Sequence, residues 1–200
     1  MPPTTGTFVN SPLLGSRAAN VYEWFLKSLH LPGDAAECGV YRGETSRELV
    51  RYLDENGIGK CLHMFDTFAG FPEVITAEER ALAEGDELGV GRFHGPLEAV
   101  FAQMSGASRY KIHRGLFSDT FPAFSEPLCF IHADADLYQS TADIIRLADR
   151  CLVPGGHIVF DDYDNRLFPG INLALERYLS RERYVITPSP ATIQCFATRR

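Results

Sequence analysis

The sequence has no surplus of positive charge: 19 Lys and Arg stand against 26 Asp and Glu, a net charge of −7. A nucleic-acid binder normally shows a basic stripe, so that class of partner is disfavoured, and the scattered Lys and Arg give no support to a membrane surface either. Long apolar runs are missing as well; the longest are strand-length, too short to span a bilayer. The opening residues Met1-Pro2-Pro3-Thr4-Thr5-Gly6 lack the charged-then-apolar plan of a signal peptide. The five cysteines (Cys38, Cys61, Cys129, Cys151, Cys195) are odd in number and contain no CxxC pair. They read as free thiols in a reducing compartment rather than as zinc ligands or disulfides. The expectation is a cytoplasmic protein. Repeats, low-complexity blocks and a GxxxxGK[ST] phosphate loop are all absent, the last counting against NTP hydrolysis.

What is present is an ordinary globular composition, 45% hydrophobic and 22% charged over 200 residues, enough for one domain with its own core. Residues 1–16 read as an arm. Val21, Trp24, Phe25 and Leu29 recur at helical spacing, predicting a helix over 17–30. Short apolar runs then alternate with helical stripes. Strands are expected at 35–40, 61–66, 110–113, 128–134 and 157–160. Helices are expected from Gly43 to about Asn56, at 97–104 and at 140–151, with a last one around Ile171–Leu179. The tail alternates like a closing antiparallel pair, at 184–186 and 191–197. Between Ala69 and Gly95, Gly, Pro and acidic residues with one helical patch at 77–83 read as a mobile lid insertion. Its acidic run, Glu78 to Glu87, reads as a solvated face. Strand and helix in alternation imply a mainly parallel sheet covered on both faces.

In such a sheet the strand C-terminal ends share one edge, where ligands bind. Four predicted strands end in acids or glycine there: Glu37/Gly39, Asp66, Asp134 and Asp161-Asp162. The turn Glu37-Cys38-Gly39-Val40-Tyr41-Arg42-Gly43 offers close backbone approach and a helix N-terminus, although it is not a GxGxxG pattern. Asp66 is placed to accept hydrogen bonds from ribose hydroxyls, or to act as a turn cap with Thr67. Asp134-Ala135-Asp136 and Asp161-Asp162 fall on neighbouring strand ends. Either they share a hard divalent cation that relieves their repulsion, or they are independent caps of the helices near Ser140 and Phe168. His132 and His157, inside apolar strands, read as hydrogen-bonded core histidines.

These segments together resemble the macrocin-type sugar O-methyltransferases. The matching pieces are Pro32-Gly33-Asp34 leading into 37–43, Asp66-Thr67-Phe68-Ala69-Gly70-Phe71-Pro72, and Gly115-Leu116-Phe117-Ser118-Asp119-Thr120-Phe121-Pro122. Asp134-Ala135-Asp136-Leu137-Tyr138-Gln139-Ser140-Thr141, Pro154-Gly155-Gly156, Asp161-Asp162-Tyr163 and Pro169-Gly170 follow in order. The resemblance covers about residues 30–180. It implies an α/β class I methyltransferase (Rossmann-like) three-layer sandwich, with a seven-stranded sheet ordered 3-2-1-4-5-7-6 and an antiparallel strand 7. The implied cofactor is S-adenosylmethionine. Glu37 and Gly39 would lie near its methionine end, Asp66 on the ribose and Ser118 or Asp119 close to the adenine. Tyr41, Gly43, Thr67 and Asp134 are further candidate cofactor contacts, as is Arg42 unless it merely solvates the turn. The implied ligands of Mg²⁺, or another divalent cation, are Asp134, Asp161 and Asp162, with Asp134 also the general base. The implied partner is a small-molecule acceptor with neighbouring hydroxyls, a sugar or glycosylated natural product; a homodimer is an assembly the resemblance permits.

Departures from the family are visible. Only about thirty residues precede the first strand, His132 and Ala133 replace a more usual apolar-branched lead-in to the aspartate motif, and Ala135 stands where glycine is common. Two alternatives stay open: methylation of a catechol or other phenol by the same chemistry, and a non-catalytic S-adenosylmethionine-binding protein.

Overall fold

The computed structural model describes residues 16–73, 76–83 and 88–200. Its strands are β1 (Asp34–Cys38), β2 (Leu62–Asp66), β3 (Tyr110–Arg114), β4 (Leu128–Ala133), β5 (Leu152–Phe160), β6 (Tyr184–Pro188) and β7 (Cys195–Arg199). They form one sheet in the order β3-β2-β1-β4-β5-β7-β6, and β7 alone runs against the rest. Its helices are α1 (Arg17–Ser28), α2 (Glu44–Glu55), α3 (Ala77–Leu82), α4 (Leu97–Gln103), α5 (Phe117–Thr120), α6 (Tyr138–Cys151) and α7 (Gly170–Tyr178). This is the expected architecture, with the expected strand order. Among the described residues no helix is long and apolar enough to cross a membrane. The predicted arm, 1–16, falls outside the described residues except for Ser16, whose hydroxyl caps α1 through Ala19 N.

Two apolar layers hold the sheet. On one face Val21 and Phe25 of α1 and Leu49, Val50 and Leu53 of α2 pack with Phe130 and Val159. On the other, Ile144, Ile145 and Ala148 of α6 and Ile171 and Leu175 of α7 meet Phe65, Ile131 and Phe160. The i, i+3, i+4 spacing of these helical residues turns one stripe of each helix inward. All five cysteines are free, and all but Cys61 are buried.

Two boundaries differ from the sequence expectation for physical reasons. Pro154-Gly155-Gly156 was expected to be a turn before the fifth strand. Instead β5 starts at Leu152, and two residues of β4 (Leu128 to Phe130) span five of β5 (Leu152 to His157). Gly155, at φ +80°, absorbs part of that irregularity. Helix α5 is a single turn, too short to leave a periodic signature.

The chain runs outward from β1 through β2 to β3, then crosses back to β4 on the other side of β1. That reversal opens a crevice above β1 and β4. Gly39 sets its width. It adopts φ +92°, and a Cβ there would sit 1.8 Å from the Asp134 carbonyl oxygen. Neighbouring bonds fix the turn on both sides: Asp134 N donates to Cys38 O at 2.9 Å and Gly39 N to Phe65 O at 2.9 Å. Gly39→Ala is therefore expected to lose about 3 kcal/mol or more of unfolding free energy in urea denaturation, through backbone collision and a left-handed φ.

Candidate active site

A cavity of about 720 Å³ occupies this crevice. In strand order, Asp66, Thr67 and Ser118 line it at or past the ends of β2 and β3, Gly39, Asp134 and Asp136 after β1 and β4, and Asp162 and Phe168 after β5. Phe71 and Phe93 also line it, Phe93 with its ring 6.4 Å from that of Tyr41. The three Phe rings form a small cluster, with centroids 5.2 to 6.2 Å apart.

The acids meet because β4 and β5 are neighbours in register: Asp161 N donates to Ala133 O at 3.0 Å, carrying both chains to the same edge. They are not helix caps. The N-cap positions of α6 and α7 are Leu137 and Pro169, and neither of these residues caps its helix through its own side chain. Asp161 and Asp162 are buried. One carboxylate oxygen each of Asp134, Asp136 and Asp162 lies within 4.8 Å of the others, and Asp134 and Asp161 make a similar group with His132.

Positive charge is brought to them from elsewhere. Arg17, the first residue of α1, donates from Nη2 to Asp161 Oδ2 and, at 3.0 Å, to Asp162 Oδ2, and lies 3.7 Å from Asp134 Oδ1. Gln194 donates to Asp161 Oδ1. Beneath them, His132 Nδ1 is 2.9 Å from Glu37 Oε1, and Ser46 Oγ donates to Glu37 Oε2. Burial opposes ionisation of Asp161, but His132 and Arg17 hold its carboxyl well below the usual range. Asp134 goes the other way. Burial, then the charges of Asp161 and Asp162, push it up to about 8. Burial and the Asp134 and Asp162 charges also raise Asp136 well above the ordinary value. His132 is raised too: burial acts against its charge, but Asp161 and Glu37 outweigh it.

Asp66 organises the loops that follow β1 and β2. Its Oδ2 accepts from Val40 N at 2.6 Å and Tyr41 N at 3.0 Å, and its Oδ1 from Phe68 N at 2.7 Å. Tyr41 and Phe68 both have left-handed φ, 53° and 56°. One carboxylate thus holds two strained residues in place and, with roughly four lone-pair directions, keeps one free. Thr67 is engaged locally, donating to Gly70 O and accepting from Ala69 N.

The residues singled out in the sequence do not all converge. Gly39, Tyr41, Asp66, Thr67, Ser118, Asp134 and Asp162 line the cavity. Glu37 is 2% exposed and stands behind the wall, bound to His132 and Ser46. Arg42 is exposed, its guanidinium 5.1 Å over the Tyr41 ring. Gly43 begins α2 at φ 87°, against Val100. Asp119 accepts from Ser118 Oγ at 3.1 Å, and Asp161 sits beneath the surface under Arg17. The acidic run needs a correction: Glu79 is fully buried rather than solvated, and its Oε1 accepts from Tyr138 N at 2.7 Å, capping the entry to α6. Residues 84–87 of that run lie outside the described residues. Arg17 and Gln194 were missed. A single Arg after a Ser-capped helix start, and a Gln in a closing hairpin, carry no local signal of a tertiary role.

The strand order, the single reversed strand and the acid-lined crevice define a class I methyltransferase fold. Solved structures agree: the O-methyltransferase NovP aligns with a TM-score of 0.79 at 22% identity, covering 92% of this chain and 79% of that one. The calicheamicin methyltransferase CalS11 aligns with a TM-score of 0.77 at 22% identity, covering 100% and 86%. The chain belongs to the Macrocin-O-methyltransferase (TylF) family, whose pattern it matches over residues 20–195. It is 34% identical over 142 residues to the 8-demethyl-8-(2,3-dimethoxy-alpha-L-rhamnosyl)-tetracenomycin-C 4'-O-methyltransferase of Streptomyces olivaceus, covering 66% of this chain and 54% of that protein. To the mycinamicin III 3''-O-methyltransferase of Micromonospora griseorubida it is 30% identical over 168 residues, covering 76% and 62%. The chain thus spans less than two thirds of the length of these curated relatives.

Because Arg17 is the main countercharge of the acids, Arg17→Gln is expected to lower the melting temperature of the cation-free protein. The loss should be larger at pH 9 than at pH 6: at pH 6 Asp134, with its pKa raised to about 8, is mostly protonated, and at pH 9 it adds a further negative charge. Thermal unfolding at the two pH values checks both sign and trend.

Proposed function

We propose that the chain transfers a methyl group from S-adenosylmethionine to a hydroxyl of a small acceptor bearing neighbouring hydroxyls, a sugar or glycosylated natural product, with a divalent cation held by Asp134, Asp161 and Asp162. The observation that carries this reading is the carboxylate cluster, part of it lining a cavity at the topological switch point, in a chain of this family. Both curated relatives named above are, by their names, O-methyltransferases acting on glycosylated natural products.

The residues fit both groups. Tyr41 and Ser118 supply polar contacts and Leu116 and Phe117 an apolar flank suited to a nucleoside, while Asp66 keeps a lone pair for a ribose hydroxyl. Crowded carboxylates are the donor set a hard cation prefers. Such a cation supplies charge that lowers the pKa of an acceptor hydroxyl. Asp134, which lines the cavity among these ligands, would accept the hydroxyl proton. The acceptor oxygen takes the methyl group in line, leaving S-adenosylhomocysteine, an ether and protonated Asp134. Much of the rate would come from alignment. The 69–95 insertion contributes Gly70, Phe71, Pro72 and Phe93 to the cavity, which supports its reading as a lid over the acceptor. We place the protein in the cytoplasm, which suits its five free thiols.

A second reading, a catechol or other phenolic acceptor, draws support from the Phe71, Phe93 and Phe168 rings, an aromatic cluster on the cavity wall whose rings meet tilted and edge-on.

Calorimetric titration of S-adenosylmethionine and S-adenosylhomocysteine should show micromolar binding that Asp66→Ala weakens at least about tenfold, since the turn at Val40 and Tyr41 loses its anchor as well as the ribose contact. Absence of binding to folded protein would remove the assignment. Cation affinity should rise with pH and level off above about 8, because Asp134 must be deprotonated to bind and burial with its neighbours' charges raises it to about 8. Titrations of Mg²⁺ between pH 6 and 9, in buffers of different ionisation enthalpy, would read this as proton release that disappears at the alkaline end. A pH-independent affinity would exclude Asp134 from the ligand set.

A further inference from the structure

Beneath the carboxylates lies a group that the proposed reaction leaves unused, the imidazole of His132. It is 2% exposed. Its Nδ1 faces Glu37 Oε1 at 2.9 Å, while its Nε2 is buried with no hydrogen-bond partner. That nitrogen looks toward Asp161 Oδ1 at 3.8 Å, too far for a hydrogen bond. The strand pattern explains the aim. His132 pairs with Glu37 on β1 and Val159 on β5, so residues 132 and 134 of β4 and residue 161, just past the end of β5, fall on one side of the sheet.

We propose that His132 Nε2 is an inner ligand of the cation site. It then joins the proposed carboxylate ligands, making the donor set mixed nitrogen and oxygen, and the site selects a transition ion such as Co²⁺ or Zn²⁺ over Mg²⁺. This inference rests on the reading that the cluster binds a divalent cation.

Three features converge on it. Ligand atoms of His132, Asp134 and Asp161 lie within 4.8 Å of one another. A separation of 3.8 Å suits two donors sharing one ion at about 2.0–2.2 Å each. The far side of the ring carries what a metal-bound imidazole requires: a carboxylate on the other nitrogen, fixing tautomer and orientation. Glu37 serves there, itself held by Ser46, and this gives a purpose to a buried acid that does not line the cavity. Asp161 Oδ1 also accepts from Gln194, which leaves its second lone pair for the ion. A cation at this point replaces the Nε2 proton as the partner of Asp161. Imidazole in the donor set moves preference away from Mg²⁺, which favours oxygen alone, toward the later divalent ions.

The test is made on the whole chain, with Co²⁺, Mg²⁺ and Mn²⁺ as probes. Calorimetry should give Co²⁺ an affinity at least about 100-fold above Mg²⁺, and His132→Gln should cut Co²⁺ affinity about 10- to 100-fold while changing Mg²⁺ by less than about threefold. Pulsed electron paramagnetic resonance of Mn²⁺ bound to the unmodified protein should show coupling to an imidazole nitrogen, a readout independent of how the variant folds. Bound Mn²⁺ without nitrogen coupling, and Co²⁺ within tenfold of Mg²⁺, would overturn the inference and make His132 a cationic partner of Glu37 and Asp161, leaving the proposed cation site intact. Failure of all three ions to bind would overturn both.

Discussion

Asp134, Asp136, Asp161 and Asp162 crowd the ends of two neighbouring strands, and the mutual repulsion of carboxylates in a partly desolvated crevice shapes what surrounds them. A buried charge without a partner is among the costliest features a fold can carry. Here positive and polar partners arrive from distant parts of the chain: Arg17 from the start of α1 and Gln194 from beside β7. The result is uneven. Asp161 is held ionised, while Asp134, farther from Arg17, keeps a proton near neutrality.

The sheet makes this possible by leaving a crevice where the strand order reverses. Gly39 permits the close approach of the β1 turn to the end of β4, and Asp66 binds that turn to the end of β2 through two backbone N–H groups, those of Val40 and Tyr41. Strain at Tyr41 and Phe68 is held by the same carboxylate. The ends of β1, β2 and β4 are consequently held together by a close backbone approach and one short carboxylate side chain. That is the arrangement an alignment-limited transfer requires.

Much of this architecture was legible in the residues. Strand, helix and turn signals placed all seven strands within a few positions, and acids at strand ends pointed to the correct edge of the sheet. The legible parts were those with a local signature: alternation, helical stripes, Gly-rich turns and the paired aspartates. What escaped was tertiary. Nothing near Arg17 announces that its guanidinium reaches Asp161, 144 residues away. Glu79 sits in a run of acids that looks solvated, yet its carboxylate is buried against the start of α6. His132 reads as a core histidine, which its burial matches, but only the fold reveals that one nitrogen is anchored and the other is not. Glu37, expected beside the cofactor, serves that histidine instead of lining the cavity.

The measurement that bears most directly on the central claim is methyl transfer itself, from isotopically labelled S-adenosylmethionine to a panel of glycosides and catechols, with each reaction run in added divalent cation and in excess chelator. The account predicts labelled ether from at least one diol-bearing acceptor, abolished by chelator and restored by cation. Label transfer at the same rate in chelator would contradict the role given to the carboxylate cluster.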